Sequence, residues 1–258
     1  MSNSPLSKSP IEKSPERINN ILLGPLERPA LAWMAKKMPL WVTPDLLTFI
    51  GLLATVIIFI SYILTNKNPA FLWLASFGFI LNWFGDSLDG TVARYRHVER
   101  PRYGFFIDHT IDAISEVLIF LGLGLSPYID FRIACLFLIS YLLLSILTYI
   151  ATYVNGVFRI SFLKLGPTEM RVIAIMINAL LFFIPEVRKF TLSFGTFSLY
   201  DLFVFFMALV LTAAFLGFTL TTAMDLSKKD IAHREEKQRK TRHKKEKRDA
   251  TASQSVHL

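Results

Sequence analysis

Residues Gly85 to Glu116 read GDSLDGTVARYRHVERPRYGFFIDHTIDAISE, and their setting decides the architecture. The run from Ala70 to Ala93 is apolar until Asp86, and the run from Tyr103 to Leu125 begins charged and then turns apolar, so four aspartates cluster where two hydrophobic segments meet. Between them lies a basic connector with Arg94, Arg96, Arg100 and Arg102. Such a connector, with long apolar runs on either side, joins two membrane spans on the side that favours positive charge.

The rest of the chain agrees. Hydrophobic residues make up 53% of 258 positions and include 23 phenylalanines, more than a core surrounded by water requires. Leu46 to Leu64, Ile133 to Val154 and Leu202 to Met224 are close to the roughly 20 apolar residues that cross a hydrocarbon layer. With Ala70 to Ala93, Tyr103 to Leu125 and Thr168 to Ile184, six spans are predicted. Ahead of them, Glu27 to Met38 mixes Leu31, Trp33 and Met34 with Arg28, Lys36 and Lys37, the pattern of a helix lying in the headgroup layer, and Pro39 and Pro44 break the chain before it enters the bilayer. The expected fold is all-α: a polytopic membrane protein with six transmembrane helices preceded by an interfacial amphipathic helix. Its parts are an N-terminal segment (1–44), a membrane domain (45–225) and a basic tail (226–258).

The first 40 residues are polar and Pro-punctuated, without the apolar core of a secretory signal, so none is expected. The single cysteine, Cys135, lies in an apolar run, which excludes an intramolecular disulfide and a thiolate metal cluster. The net charge of +8 is unevenly placed. Lys and Arg crowd the N-terminal segment, the 94–102 connector, the stretch with Arg159, Lys164 and Arg171, and the tail, whereas the opposite loops hold Lys67, Arg132, Arg188 and Lys189. This asymmetry puts both termini and the aspartates in the cytosol, as an even span count requires. The tail from Lys228 to Arg248, with eleven basic and four acidic residues, is expected to be solvated, helical at most in its first turns, and directed at anionic lipid headgroups rather than nucleic acid.

Carboxylates within spans are costly, and four at one level repel each other unless cations offset them, so a functional site is the default reading. Asp86 and Asp89 are three apart and Asp108 and Asp112 four apart, so each pair shares a helix face and two facing helices would present a four-carboxylate cup. An all-oxygen cup suits Mg²⁺ or Mn²⁺ completed by a phosphate compound, not zinc. Gly90 and Ala93 allow a ligand near the backbone and Arg94 offers a cation to a phosphate oxygen; the competing reading is that the small residues let helices approach and Arg94 snorkels.

The spacing Asp86, Asp89-Gly90, Ala93-Arg94, Gly104, Asp108, Asp112 resembles the signature of the CDP-alcohol phosphotransferases, with nine residues between Arg94 and Gly104, one more than usual. The resemblance spans about 200 residues, from Glu27 to Met224, and includes the Pro-Asn-x-x-Thr element before the first span, with Asp45 in place of the asparagine. It implies a homodimer with two divalent ions, a CDP-linked donor and release of CMP. By position, Asp86, Asp89 and Asp108 would be metal ligands and Asp112 the general base, sharing in the metal; Asp89, Gly90, Ala93, Arg94 and Gly104 would hold the CDP end. His109 in Asp-His-x-x-Asp resembles choline and ethanolamine phosphotransferases, which implies a CDP-amino alcohol donor and diacylglycerol acceptor. The compact length fits the alternative, CDP-diacylglycerol with a small polar alcohol. His109, Glu116, Lys164, Glu169 and Arg171 are the candidates for selectivity, Glu169 facing a cationic amine or, with Arg171, simply pairing at a span end.

Two other classes compete. A cation transporter would need polar residues through the whole bilayer depth, which the spans lack, and a scaffold leaves the buried carboxylates without a purpose.

Overall fold

The computed structural model describes residues 16–18, 22–155, 157–159, 166–184, 189–192 and 195–255. Seven helices dominate the described residues: α1 (Gly24–Lys37), α2 (Pro44–Leu64), α3 (Phe71–Tyr95), α4 (Pro101–Gly124), α5 (Phe131–Asn155), α6 (Pro167–Phe183) and α7 (Leu199–Ser255). Two small strand pairs accompany them: β1 (Glu16–Ile18) runs parallel to β2 (Val157–Arg159), and β3 (Lys189–Leu192) forms an antiparallel hairpin with β4 (Gly195–Ser198). The chain is therefore all-α in character, as expected.

Proline starts α2, α4 and α6, where its fixed φ suits the first helical turn and its missing N–H costs nothing. Thr43 caps α2 by accepting a bond from the Leu46 amide. Among the described residues, three helical stretches are long and apolar enough to cross a membrane: Pro44–Leu64, Phe131–Val154 and Leu199–Arg242. Large side chains such as Phe106, Phe183 and Phe206 lie exposed, an apolar surface suited to lipid. Charges within α3 and α4, and the 17-residue length of α6, set those three helices apart by composition.

The chain divides into two compact units, Met1–Thr212 and Ala213–Leu258. In the first, Ile58, Tyr62, Leu72, Ala75, Phe79 and Leu181 form one buried cluster, and Leu31, Ala35, Val42, Leu47, Leu88 and Val92 form another. Along both α2 and α3 a polar layer separates them: Thr55, Asn82 and Asp86 lie between the two apolar sets. Helix α1 packs on α3, with Trp83 Nε1 and Thr168 Oγ1 each donating to Glu27 Oε1 at 2.8 Å. Trp33 is exposed on α1, and Lys37 stands 4.4 Å over its ring.

The second unit continues α7 as helix through Ser255. This corrects the expectation for the tail, which was helix in its first turns only. Lys, Arg, Glu, Gln and Ala all favour helix, and once a helix is nucleated each further residue adds a hydrogen bond without the cost of a new nucleus. A Glu236–Lys240 pair at 2.5 Å adds support.

The closest helix contact is between α2 and α3. A Cβ built on Gly85 would lie 2.5 Å from the Leu47 carbonyl oxygen and 2.6 Å from the Gly51 nitrogen, backbone atoms that cannot step aside. At Gly104 nothing lies within 4 Å. Gly85→Ala is therefore expected to cost about 1–3 kcal/mol of stability by forcing two helices apart, whereas Gly104→Ala should change it by under about 0.5 kcal/mol. Melting in detergent, followed by tryptophan fluorescence, ranks the two.

Candidate active site

Helix α3 delivers Asp86 and Asp89, and after the connector α4 returns with Asp108 and Asp112. The connector is tied down: Arg96 donates to the carbonyls of Val42, Met38 and Pro39 at 2.6, 3.0 and 2.8 Å. His97 takes a positive φ of 57° at this turn. Arg100 is ion-paired to Asp45 and lies 4.1 Å over the Tyr103 ring, so the carboxylate that stands in place of an asparagine serves the connector.

A pocket opens between α2, α3 and α4, lined by Thr48, Gly51, Asn82, Asp86, Asp108, Ile111, Asp112 and Ser115. Three of the four aspartates line it. Asp89 does not line it as its side chain stands. Three residues advance a helix by 300°, so Asp89 is rotated about 60° from Asp86, and it accepts a 2.5 Å hydrogen bond from Thr48 Oγ1 and another from the Gly90 amide.

Asp86 is held from α6. Arg171 Nη2 donates to Asp86 Oδ2 at 2.5 Å and Arg171 Nε to Asn82 Oδ1 at 2.7 Å. Asn82 Nδ2 in turn donates to the Gly51 carbonyl at 3.0 Å and to Thr55 Oγ1 at 3.1 Å, and Thr55 is hydrogen-bonded to Ser115 at 3.1 Å. One polar chain thus crosses α6, α3, α2 and α4 in the layer between the apolar clusters. Within it, and beside it on α4, two buried atoms have no hydrogen-bond partner, Arg171 Nη1 and Glu116 Oε2.

The donor set fits a hard divalent cation, since every candidate ligand is a carboxylate oxygen. As the side chains stand, no group of three His, Cys, Asp or Glu among the described residues could hold an ion. Arg171 occupies Asp86 and Thr48 turns Asp89 aside, so ligation by all four requires Asp86 to exchange its partner and Asp89 to change rotamer.

The remaining sequence candidates separate. Arg94 is exposed beside Gly90 and donates to Thr91 Oγ1, and Ala93 is half-buried on the same turn. Gly104 is exposed near the start of α4. His109 Nδ1 lies 2.7 Å from the Phe105 carbonyl, with its ring 4.9 Å from that of Tyr149. Glu169 is buried away from the pocket: its oxygens accept from the amides of Leu23 at 2.7 Å and Gly166 at 2.9 Å, so it joins the start of α6 to the start of α1 rather than facing an amine. Lys164 lies outside the described residues.

Sequence reasoning missed Gly51 and Thr55, and read Thr48 only as the threonine of the Pro-Asn-x-x-Thr element, on the same helix face as those two. Their spacing of three and four in an otherwise apolar helix was a readable signal, a small and polar face of the kind that packs helices in membranes. It also missed Tyr141 and Tyr149 on α5, which lie within electrostatic reach of Asp112 and Glu116; tyrosines scattered along an apolar run gave no such signal.

These features define an integral membrane protein with carboxylates gathered between adjacent helices. Residues 41–215 match the CDP-alcohol phosphatidyltransferase family, and the chain belongs to it. Similar proteins include cholinephosphotransferase 1 of Gallus gallus, 30% identical over 168 residues, covering 60% of this chain and 48% of that one. The Homo sapiens cholinephosphotransferase 1 is 28% identical over 158 residues, 57% of this chain and 38% of that protein. Archaetidylinositol phosphate synthase of Pyrococcus horikoshii is 34% identical over 101 residues, 39% of this chain and 50% of that one. The chain thus spans less than half the length of the cholinephosphotransferases it matches.

The Asp86–Arg171 pair is largely enclosed, with side chains 24% and 14% exposed. Breaking a buried pair by removing one partner costs about 3–5 kcal/mol, while replacing both with apolar groups is often neutral. Asp86→Ala and Arg171→Met should each lower the melting temperature in detergent, and the double variant should regain most of the loss.

Proposed function

We propose that this chain is a metal-dependent CDP-alcohol phosphotransferase of phospholipid synthesis, moving a substituted phosphate from a CDP-amino alcohol to the hydroxyl of diacylglycerol and releasing CMP. The observation that carries this reading is the meeting of Asp86, Asp108 and Asp112 at one pocket, with Asp89 a single hydrogen bond away on Thr48.

In this reading Asp86, Asp89 and Asp108 hold two Mg²⁺ or Mn²⁺ ions, with Asp112 sharing in them. Bound there, the ions supply positive charge to offset that of the pyrophosphate and the leaving CMP. Gly90, Ala93 and Gly104 leave room for the CDP end, and the exposed Arg94 guanidinium reaches a phosphate oxygen. Asp112, one turn deeper than Asp108, takes the proton from the acceptor hydroxyl. The hydroxyl oxygen then bonds to the phosphorus distal to cytidine as the bond from that phosphorus to the CMP oxygen breaks. Enclosure by α2, α3 and α4 limits water as a competing nucleophile.

We place α2 to α7 as six spans, α1 in the headgroup layer and both termini with the site in the cytosol, on the distribution of Lys and Arg. The basic part of α7 lies against anionic lipid, and the chain works as a homodimer. Its membrane is the cytoplasmic one in a prokaryote and the endoplasmic reticulum in a eukaryote. The similarity to an archaetidylinositol phosphate synthase favours a second reading, CDP-diacylglycerol as donor with a small polar alcohol as acceptor.

Purified protein in liposomes, supplied with Mg²⁺ or Mn²⁺ and diacylglycerol, should release CMP from CDP-choline or CDP-ethanolamine and stop on chelation of the metal. CMP from CDP-diacylglycerol alone would select the second reading, and no CMP from any donor would overturn the phosphotransferase reading. Asp112→Asn should lower turnover by about 10²–10⁴ while CDP-choline binding persists. A loss of binding equal to that of Asp86→Asn would contradict its role as base.

A further inference from the structure

Glu116 is left without a task by the phosphotransfer reading, yet its Oε2 is buried with no hydrogen-bond partner among the described residues. A carboxyl oxygen buried without a donor is a position that a cationic ligand would answer.

The surroundings of Glu116 narrow the ligand. On α4, Phe105, His109, Asp112, Glu116 and Phe120 recur at steps of three and four and form one stripe. On α5, Phe137, Tyr141 and Tyr149 recur at steps of four and eight and form another. Ring contacts pin the two stripes together at both ends: His109 to Tyr149 at 4.9 Å, and Phe120 to Phe137 and Tyr141 at 4.7 and 6.3 Å. Glu116 falls between these pins, so Tyr141 and Tyr149 flank its level, and both tyrosines lie within electrostatic reach of it. Arg171 is held by Asp86 and Asn82 and leaves Glu116 Oε2 unbonded. A buried carboxylate between two aromatic stripes is the chemistry that holds an ammonium group, by charge and by cation–π contact.

Depth agrees with this. Glu116 lies four residues beyond Asp112, about 6 Å further along the helix. In an amino-alcohol phosphate the nitrogen is four bonds from the phosphorus, about 5 Å when extended at roughly 1.5 Å per bond. A phosphorus reacting beside Asp112 would therefore carry its nitrogen to the level of Glu116.

We propose that Glu116, with the rings of Tyr141 and Tyr149, forms the subsite for the cationic nitrogen of the donor headgroup, which makes it the element selecting an amino alcohol over a neutral one. This rests on the CDP-amino alcohol reading of the donor.

The test is calorimetric binding of CDP-choline and CDP-glycerol, which share a pyrophosphate and differ in headgroup charge, to the full-length protein with Mn²⁺. Glu116→Gln should weaken CDP-choline binding about tenfold or more, as expected for loss of a desolvated charge contact, and leave CDP-glycerol binding unchanged. Unchanged CDP-choline affinity, or equal losses for both ligands, would overturn the proposal. If Glu116→Gln melts early in detergent, Tyr149→Leu makes the same comparison: a loss confined to CDP-choline supports the subsite and a loss shared by both ligands refutes it. A wild type that turns over CDP-choline while Glu116→Gln binds it normally brings down this inference alone. A wild type that binds CDP-glycerol as tightly as CDP-choline and uses CDP-diacylglycerol brings down the donor reading together with it.

Discussion

Carboxylates placed among apolar helices must be answered by donors or cations, and much of the inner architecture of this chain follows from how each is answered. Asp86 takes Arg171 from α6, 85 positions away, and Asp89 takes Thr48 from α2. Arg171 can serve because Asn82 holds its Nε, and Asn82 can serve because the Gly51 carbonyl and Thr55 take its amide protons. The bonds from Thr48 to Asp89 and from Asn82 to Gly51 and Thr55 would not close if α2 and α3 stood further apart, and that spacing is set where Gly85 meets the backbone of Leu47 and Gly51. A glycine directly before the first aspartate is thus part of the electrostatics as much as of the packing.

Much of this was legible in the sequence, and the reason is periodicity. Apolar runs of bilayer length mark α2, α5 and α7, and carboxylates at steps of three and four mark the inner faces of α3 and α4. Contacts between distant parts were not legible. Arg171 read equally well as a partner of Glu169, but Glu169 caps its own helix and reaches Leu23, because the amide of Gly166 lies three residues before it. The turn of Asp89 toward Thr48 depends on which neighbour lies 60° around the helix, and a single sequence does not state that. The basic tail was read as largely unstructured because it lacks an apolar stripe, yet it extends a helix already nucleated by α7.

The site has an order in depth that suits a substrate with a polar head and an apolar destination. Arg94, Gly104 and the connector lie at one end of α3 and α4, Asp86 and Asp112 about two turns further in, and Glu116 another turn beyond on α4. Along α4 and α5 the order from the connector side runs through basic and small residues, then carboxylates, then aromatic rings. The match to the CDP-alcohol phosphatidyltransferase family, over residues 41–215, covers the stretch that builds it.

The central claim is that these aspartates, gathered by α3 and α4, bind divalent cations together. Titration of the purified protein with Mn²⁺ in the presence of CMP, followed by electron paramagnetic resonance, addresses it directly. The account predicts saturable binding of two ions per chain with magnetic coupling between them, and loss of that coupling in Asp86→Asn and in Asp108→Asn. Absence of saturable binding, or binding that both substitutions leave intact, would contradict it.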